Sequence, residues 1–187
     1  MGRTPLPADY ETQREGIEAG AYYILPNEVE SLSARLALLG VTQEELGTLL
    51  NEAMTQSSET FHDNAPADAI NSASHIVTSE ANTIIRVLHY AARIPYPETT
   101  DQMRIGNIVS VVYEDDDVPE RVLLTGYTRK VDTSAINTED EISVVSAGSP
   151  MGLALLDAHV GEQVGYEVNE RNFKLGVVAI DSIYTIS

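Results

Sequence analysis

Oxygen-bearing side chains crowd one short stretch of this chain. From Ser57 to Ala69 it reads SSETFHDNAPADA, which brings Glu59, His62, Asp63 and Asp68 close together. Carboxylates at that density either ligate a hard divalent cation or sit as caps and dipole partners at helix ends. No second histidine stands at ligand spacing, so His62 reads as a solvated residue. A second acidic run, Glu114-Asp115-Asp116-Asp117, lacks the spacing and glycine of an EF-hand and suits a solvated hairpin loop. The chain shows no nucleophile-base constellation, no phosphate-cradling glycine loop and no paired carboxylates in a recognisable frame, which argues against a stand-alone enzyme.

The elements around residues 57–69 must position that stretch, and both are helical. Before it, Val29, Leu32, Leu36, Leu39, Leu46, Leu50 and Ala53 recur at alternating steps of three and four, with Gln43 filling the missing step. After it, Ile70, Ala73, Val77, Ala81, Ile84, Leu88 and Ala91 repeat the pattern. Two narrow seams joined by a polar segment predict an antiparallel coiled-coil hairpin over residues 26–94, each arm about 40 Å long at roughly 1.5 Å per residue, with its tip at 57–69. Half of an ordinary helical bundle is the alternative. The first helix is expected to start at Pro26-Asn27, with Asn27 as cap and Glu28 and Glu30 at the positive end of the macrodipole. Gly40 followed by the Thr42/Glu45 capping box offers a break, but the seam keeps its phase, which predicts one helix. Pro66 suits the first turn of the second helix, with Asn64 ahead of it as cap. That helix must stop before Pro95.

Residues 95–104 read as an extended linker, and beyond them the period changes to two. Ile105 to Tyr113, Arg121 to Tyr127, Glu141 to Val145, Gln163 to Val168 and Phe173 to Tyr184 are rich in Val, Ile and Tyr between turn-like clusters. They predict a small, mainly antiparallel sheet over residues 105–187. One helix is expected there, from Pro150 to Ala158, capped by Ser149. The fold class is therefore α+β. Residues 1–25 show no sustained period and read as an extension that docks through Tyr22 and Tyr23.

A formal net charge of -18 argues against direct, stable binding to nucleic acid, whose phosphates call for a basic face. No apolar run approaches the ~20 residues that span a bilayer, and MGRTPLPADYETQ lacks the apolar core of a signal peptide. A cytoplasmic protein with no membrane contact is expected. The absence of cysteine excludes disulfides, thiol catalysis and thiolate metal sites.

Several strings carry a resemblance. Ile142-Ser143-Val144-Val145-Ser146, then Ser149-Pro150-Met151-Gly152-Leu153-Ala154-Leu155-Leu156, then Val160-Gly161-Glu162-Gln163-Val164 are similar to the IS-x-x-SP-x-x-x-ALLG…VGD-x-V signature of the GreA/GreB transcript cleavage factors. The ending from Val178 to Tyr184 resembles their closing I-x-x-I-x-Y strand, and Leu25-Pro26-Asn27-Glu28 with Leu32 and Leu36 their helix opening. His62 to Ala69 falls where they carry the tip motif G-D-L-x-E-N-A-E. The resemblance implies a coiled-coil finger followed by an FKBP-like domain. It also implies bacterial RNA polymerase as partner, entered through its secondary channel, with Ser146, Ser149, Pro150 and Met151 at the polymerase-binding turn. No resident cofactor is implied, only a Mg²⁺ shared with the polymerase, to which tip acids lend oxygen ligands.

The chain departs from that pattern in places that matter. With Asp63 on the first acidic tip position, the second is Pro66, which cannot ligate a metal. Asp63 is then the one matched metal ligand, and Asp68 or Glu59 would have to complete a shifted pair. The plainer roles are a turn or cap residue for Asp63 and a helix-dipole carboxylate for Asp68. Ala147-Gly148 is inserted before Ser149-Pro150, and Asp157-Ala158 replaces a Gly-Lys pair. The leading expectation is a Gre-like regulator of transcription elongation or initiation, itself no enzyme and without strong cleavage stimulation. The alternatives are an active cleavage factor using Asp63 with Asp68 or Glu59, and an adaptor for a different protein partner.

Overall fold

The computed structural model describes residues 6–56, 65–98, 100–114, 118–128 and 141–183. After a 3-10 turn (Pro7–Asp9) come helix α1 (Gln13–Glu18), strand β1 (Tyr23–Ile24), helices α2 (Pro26–Gln56) and α3 (Ala65–Tyr90), and strand β2 (Ala92–Arg93). Strands β3 (Asn107–Tyr113), β4 (Glu120–Thr125) and β5 (Ile142–Ser146), helix α4 (Pro150–Leu155), and strands β6 (Gln163–Val168) and β7 (Arg171–Ser182) follow. The class is α+β. Two compact units divide the chain, residues 32–89 and residues 1–31 with 90–187. Residues 6–25 and 95–104 are thus counted with the sheet.

The unit 32–89 is the antiparallel helix pair. At about 1.5 Å per residue, α2 runs for about 45 Å and α3 for about 40 Å. Leu32, Leu39 and Ile84 of the seam are buried, as is Val87 beside it, whereas Leu38 and Leu49, off the seam of α2, are 54% and 49% exposed. The direction of packing follows from two polar pairs. Arg35, early in α2, donates two hydrogen bonds to the carboxylate of Glu80, late in α3, at 2.8 and 2.9 Å. Gln43 Nε2, further along α2, donates to Ser74 Oγ at 2.6 Å. The Oε1 of Gln43 is buried and has no hydrogen-bond partner among the described residues. Gly40 breaks nothing, since α2 continues through it. As the unbroken seam predicts, α2 is one helix, and Thr42 donates its hydroxyl to the Leu38 carbonyl, a bond made inside a continuing helix.

The other unit is built on a five-stranded sheet in the order β5-β4-β3-β7-β6. Its pairs are antiparallel except β4 with β5, which run parallel. Alternation sends Val109, Val111, Val122, Leu124, Leu175 and Val177 to one face, where Leu155 and Leu156 close over them. Ala21, Tyr23 and Leu25 belong to the same core, so the tyrosine expected to dock does so as a core residue. Met103 and Ile105 lie in it too. Backbone bonds from Met103 N–H to the Ala158 carbonyl (2.8 Å) and from Asp157 N–H to the Met103 carbonyl (3.0 Å) fasten the end of the segment read as a linker. Ser182 Oγ donates to the Pro97 carbonyl at 2.8 Å and fastens its start. Upstream, β1 and β2 pair in parallel, Tyr23 beside Ala92 and Ile24 beside Arg93.

The start of α2 is fixed by a buried acid. Glu28 is fully buried, and its two carboxylate oxygens accept four backbone N–H groups. Leu25 and Gly126 donate to Oε2, each at 2.9 Å, while Tyr127 (2.7 Å) and Thr128 (2.8 Å) donate to Oε1. The three successive amides after β4 form an anion-binding nest, and the Leu25 amide is one of the donors a helix start leaves without a partner. Gly126 permits this approach, because a Cβ there would stand 2.0 Å from the Tyr23 carbonyl oxygen. Tyr22 meets the ring of Tyr127 edge-to-face, centroids 5.7 Å apart. Asn27, expected to be the cap, leaves its buried Oδ1 without a hydrogen bond among the described residues. The helix begins one residue too early for it, and Glu28 reaches back in its place.

Tyr113 lies on the core face at the end of β3. Burial, and next its hydrogen bond with Tyr166, push its hydroxyl from the ordinary 10.0 up to about 12.

Two outcomes follow for stability. Glu28→Gln replaces an acceptor facing buried N–H donors with a donor, and should lower unfolding stability by about 2–4 kcal/mol, read as a fall in the urea midpoint. An unchanged midpoint would refute the anchoring role. Folding favours the protonated Tyr113, so its contribution is whole below pH 10 and is lost as pH rises toward 12. The loss of stability across that interval should shrink in Tyr113→Phe, as urea unfolding on both sides of it will show.

Candidate functional site

The turn between β5 and α4 collects the residues expected to meet a partner. Ser146 closes β5 in register with Thr125 of β4. The ladder runs one bond further, from Ala147 N–H to the Thr125 carbonyl at 2.7 Å. Ser149 then does two things with one hydroxyl. It donates to the Ser146 carbonyl at 2.8 Å and accepts from Gly152 N–H at 3.1 Å, the N-cap expected of it. Pro150 follows in the first turn, where its missing N–H costs nothing. Gly152 is sterically required, since a Cβ there would stand 2.1 Å from the Ser146 carbonyl oxygen.

The four expected contact residues therefore differ in role. Ser146 and Ser149 are half-buried and spend polar groups on holding the turn. Pro150 is exposed and offers a rigid surface. Met151 is half-buried against the core, with its Sδ 3.9 Å from the Tyr113 hydroxyl. The structure brings all four into one short turn. What the turn leaves at the surface is Pro150, with Met151 half-buried beside it.

The far end of α4 was less legible. Asp157 takes the left-handed conformation at φ 65°, which glycine adopts most readily. Its carboxylate accepts from Arg14 Nε at 3.2 Å, and Arg14 Nη2 donates to the Leu156 carbonyl. Sequence reading passed over Arg14, because one arginine in an aperiodic segment gives no signal of its partner 143 positions away. The replacement of glycine by Asp157 was the clue available.

At the hairpin tip, Glu59, His62 and Asp63 lie outside the described residues. Pro66 and Asp68 are exposed in the first turn of α3. Among the described residues no group of three or more potential ligands could hold a metal ion. Asp68 is the one acid of the tip that they include, and a lone carboxylate does not make a Mg²⁺ site. No described helix is long and apolar enough to cross a membrane.

No family model matches the chain. Over 67 residues it is 39% identical to the transcription elongation factor GreA of Mycolicibacterium vanbaalenii, a match covering 36% of this chain and 38% of that protein. The chain thus matches well under half the length of this curated relative. Among solved structures, GreA factor homolog 1 of Thermus thermophilus aligns at 20% identity and a TM-score of 0.38, over 87% of this chain and 99% of that one. The Thermus aquaticus homolog gives 20% and 0.36, over 87% and 100%. A GreA/GreB elongation factor from Nitrosomonas europaea gives 16% and 0.33, over 61% and 92%. Over those 67 residues the chain is similar to a GreA-type elongation factor, and the sequence likeness is limited to that stretch.

Proposed function

We propose that this chain is a Gre-like regulator that binds bacterial RNA polymerase through the secondary channel and modulates elongation or initiation without strong stimulation of RNA cleavage. The match to a transcription elongation factor at 39% identity carries the reading. The antiparallel helix pair, with a seam sustained along both arms, supplies a finger of the kind such a factor needs. The net charge of -18 favours a protein partner over direct contact with nucleic acid.

Pro66 supports the limit on cleavage. It stands three residues after Asp63, where the resembled tip motif has its second acid, and its side chain has no atom with which to bind a cation. Occupying the channel would then slow nucleotide addition and leave the transcript whole. One observation favours a second reading. Asp68 is exposed two residues beyond Pro66, and with Asp63 it would give a cleavage factor with shifted ligands.

A backtracked complex of bacterial RNA polymerase separates the two. Adding the protein in Mg²⁺ should slow resumed extension and produce no shortened RNA. Robust shortening would overturn the proposal, and its loss in Asp63→Ala would establish the second reading.

A further inference from the structure

The segment before β1 touches both ends of α4. Arg14 and Ile17, one turn apart on α1, share a face. Arg14 binds the C-terminal end of α4 through the Asp157 carboxylate and the Leu156 carbonyl. Ile17 lies at the other end, with its Cγ2 4.0 Å from where a Cβ on Gly148 would stand. Gln13 Oε1 adds one bond, accepting from Ile105 N–H at 3.3 Å. This segment thus meets two of the departures from the Gre pattern, the inserted Ala147-Gly148 and Asp157, at the two ends of α4.

The fastening of this segment is graded along the chain. Ala21, Tyr23 and Leu25 are buried in the core, whereas Tyr10 and Ile17 are only partly buried at its edge. Arg14 and Asp157 are each 37% exposed, and a half-exposed ion pair shifts an equilibrium by a factor of up to about five. Asp157 also holds a backbone conformation that glycine would occupy with less strain, and uses its carboxylate on Arg14. We propose that residues 7–20 are a releasable strap, latched by Arg14 to the C-terminal end of α4, that restricts how the β5–α4 turn engages its protein partner. The second part rests on the reading of Ser149, Pro150 and Met151 as a polymerase contact.

Asp157→Gly tests the latch apart from the fold, because glycine suits φ 65° while the Asp157 backbone bond to Met103 remains. The amides to follow by hydrogen exchange are Gly16 and Ala19, bonded to the Thr12 and Glu15 carbonyls. Their exchange should rise about fivefold in Asp157→Gly and further in Arg14→Gln, which also loses the bond to Leu156. Amides of β3 and β4 should be unaffected. Unchanged exchange at Gly16 and Ala19 in both variants would overturn the latch. Affinity for RNA polymerase, measured on the same full-length proteins, should be several-fold higher in Asp157→Gly than in the unaltered chain. Equal affinities alongside faster strap exchange would overturn the gating role. Failure of every variant to bind polymerase would overturn the polymerase reading and with it the gating, while the exchange result would still decide the latch.

Discussion

A fully buried carboxylate is affordable only where every lone pair is used, and Glu28 meets that condition with backbone donors alone. Four N–H groups from two separate parts of the chain converge on it, and none of them can be supplied by water once the site is closed. The loop after β4 must therefore curl its amides inward, and α2 must begin where its third residue can reach them. Gly126 and the Tyr22–Tyr127 ring contact make sense as accommodations to that requirement. The first turn of the helical arm and the sheet domain's central loop are in this way solved together.

The helix pair follows a different logic. Its seam is apolar except where Gln43 sits among leucines, joined to Ser74 and leaving one oxygen unmatched. An apolar residue there would bind more strongly, and would also tolerate a slipped pairing of the arms. A polar residue in a coiled-coil seam sacrifices stability for register. Together with the Arg35–Glu80 fork, it gives the two arms a preferred alignment that leucines alone would leave ambiguous.

Much of this architecture was legible because it rests on periodicity. The alternating threes and fours of α2 and α3, the twofold alternation of the five strands and the Ser149-Pro150 helix start all declare themselves within a few residues. What escaped depends on partners distant in the chain. Asn27 has the right chemistry for a cap, but Glu28 took the position because the loop near Gly126 needed an anion, a demand invisible locally. The segment before Tyr23 shows no period because it lies in short pieces along the sheet domain, each held by a few contacts. Of the candidate site, the turn at Ser146 to Met151 was readable as cap chemistry, while the Arg14–Asp157 pair was not.

The two-residue pairing of β1 with β2 means that the chain leaves the sheet domain and returns to it at neighbouring points. Topologically, the helical pair is an insertion between two strands already side by side. Whole heptads could be added to or removed from both arms in step, preserving the seam, without displacing any residue that sets Tyr23 beside Ala92. The length of the helix pair is thus a quantity the sheet domain does not fix.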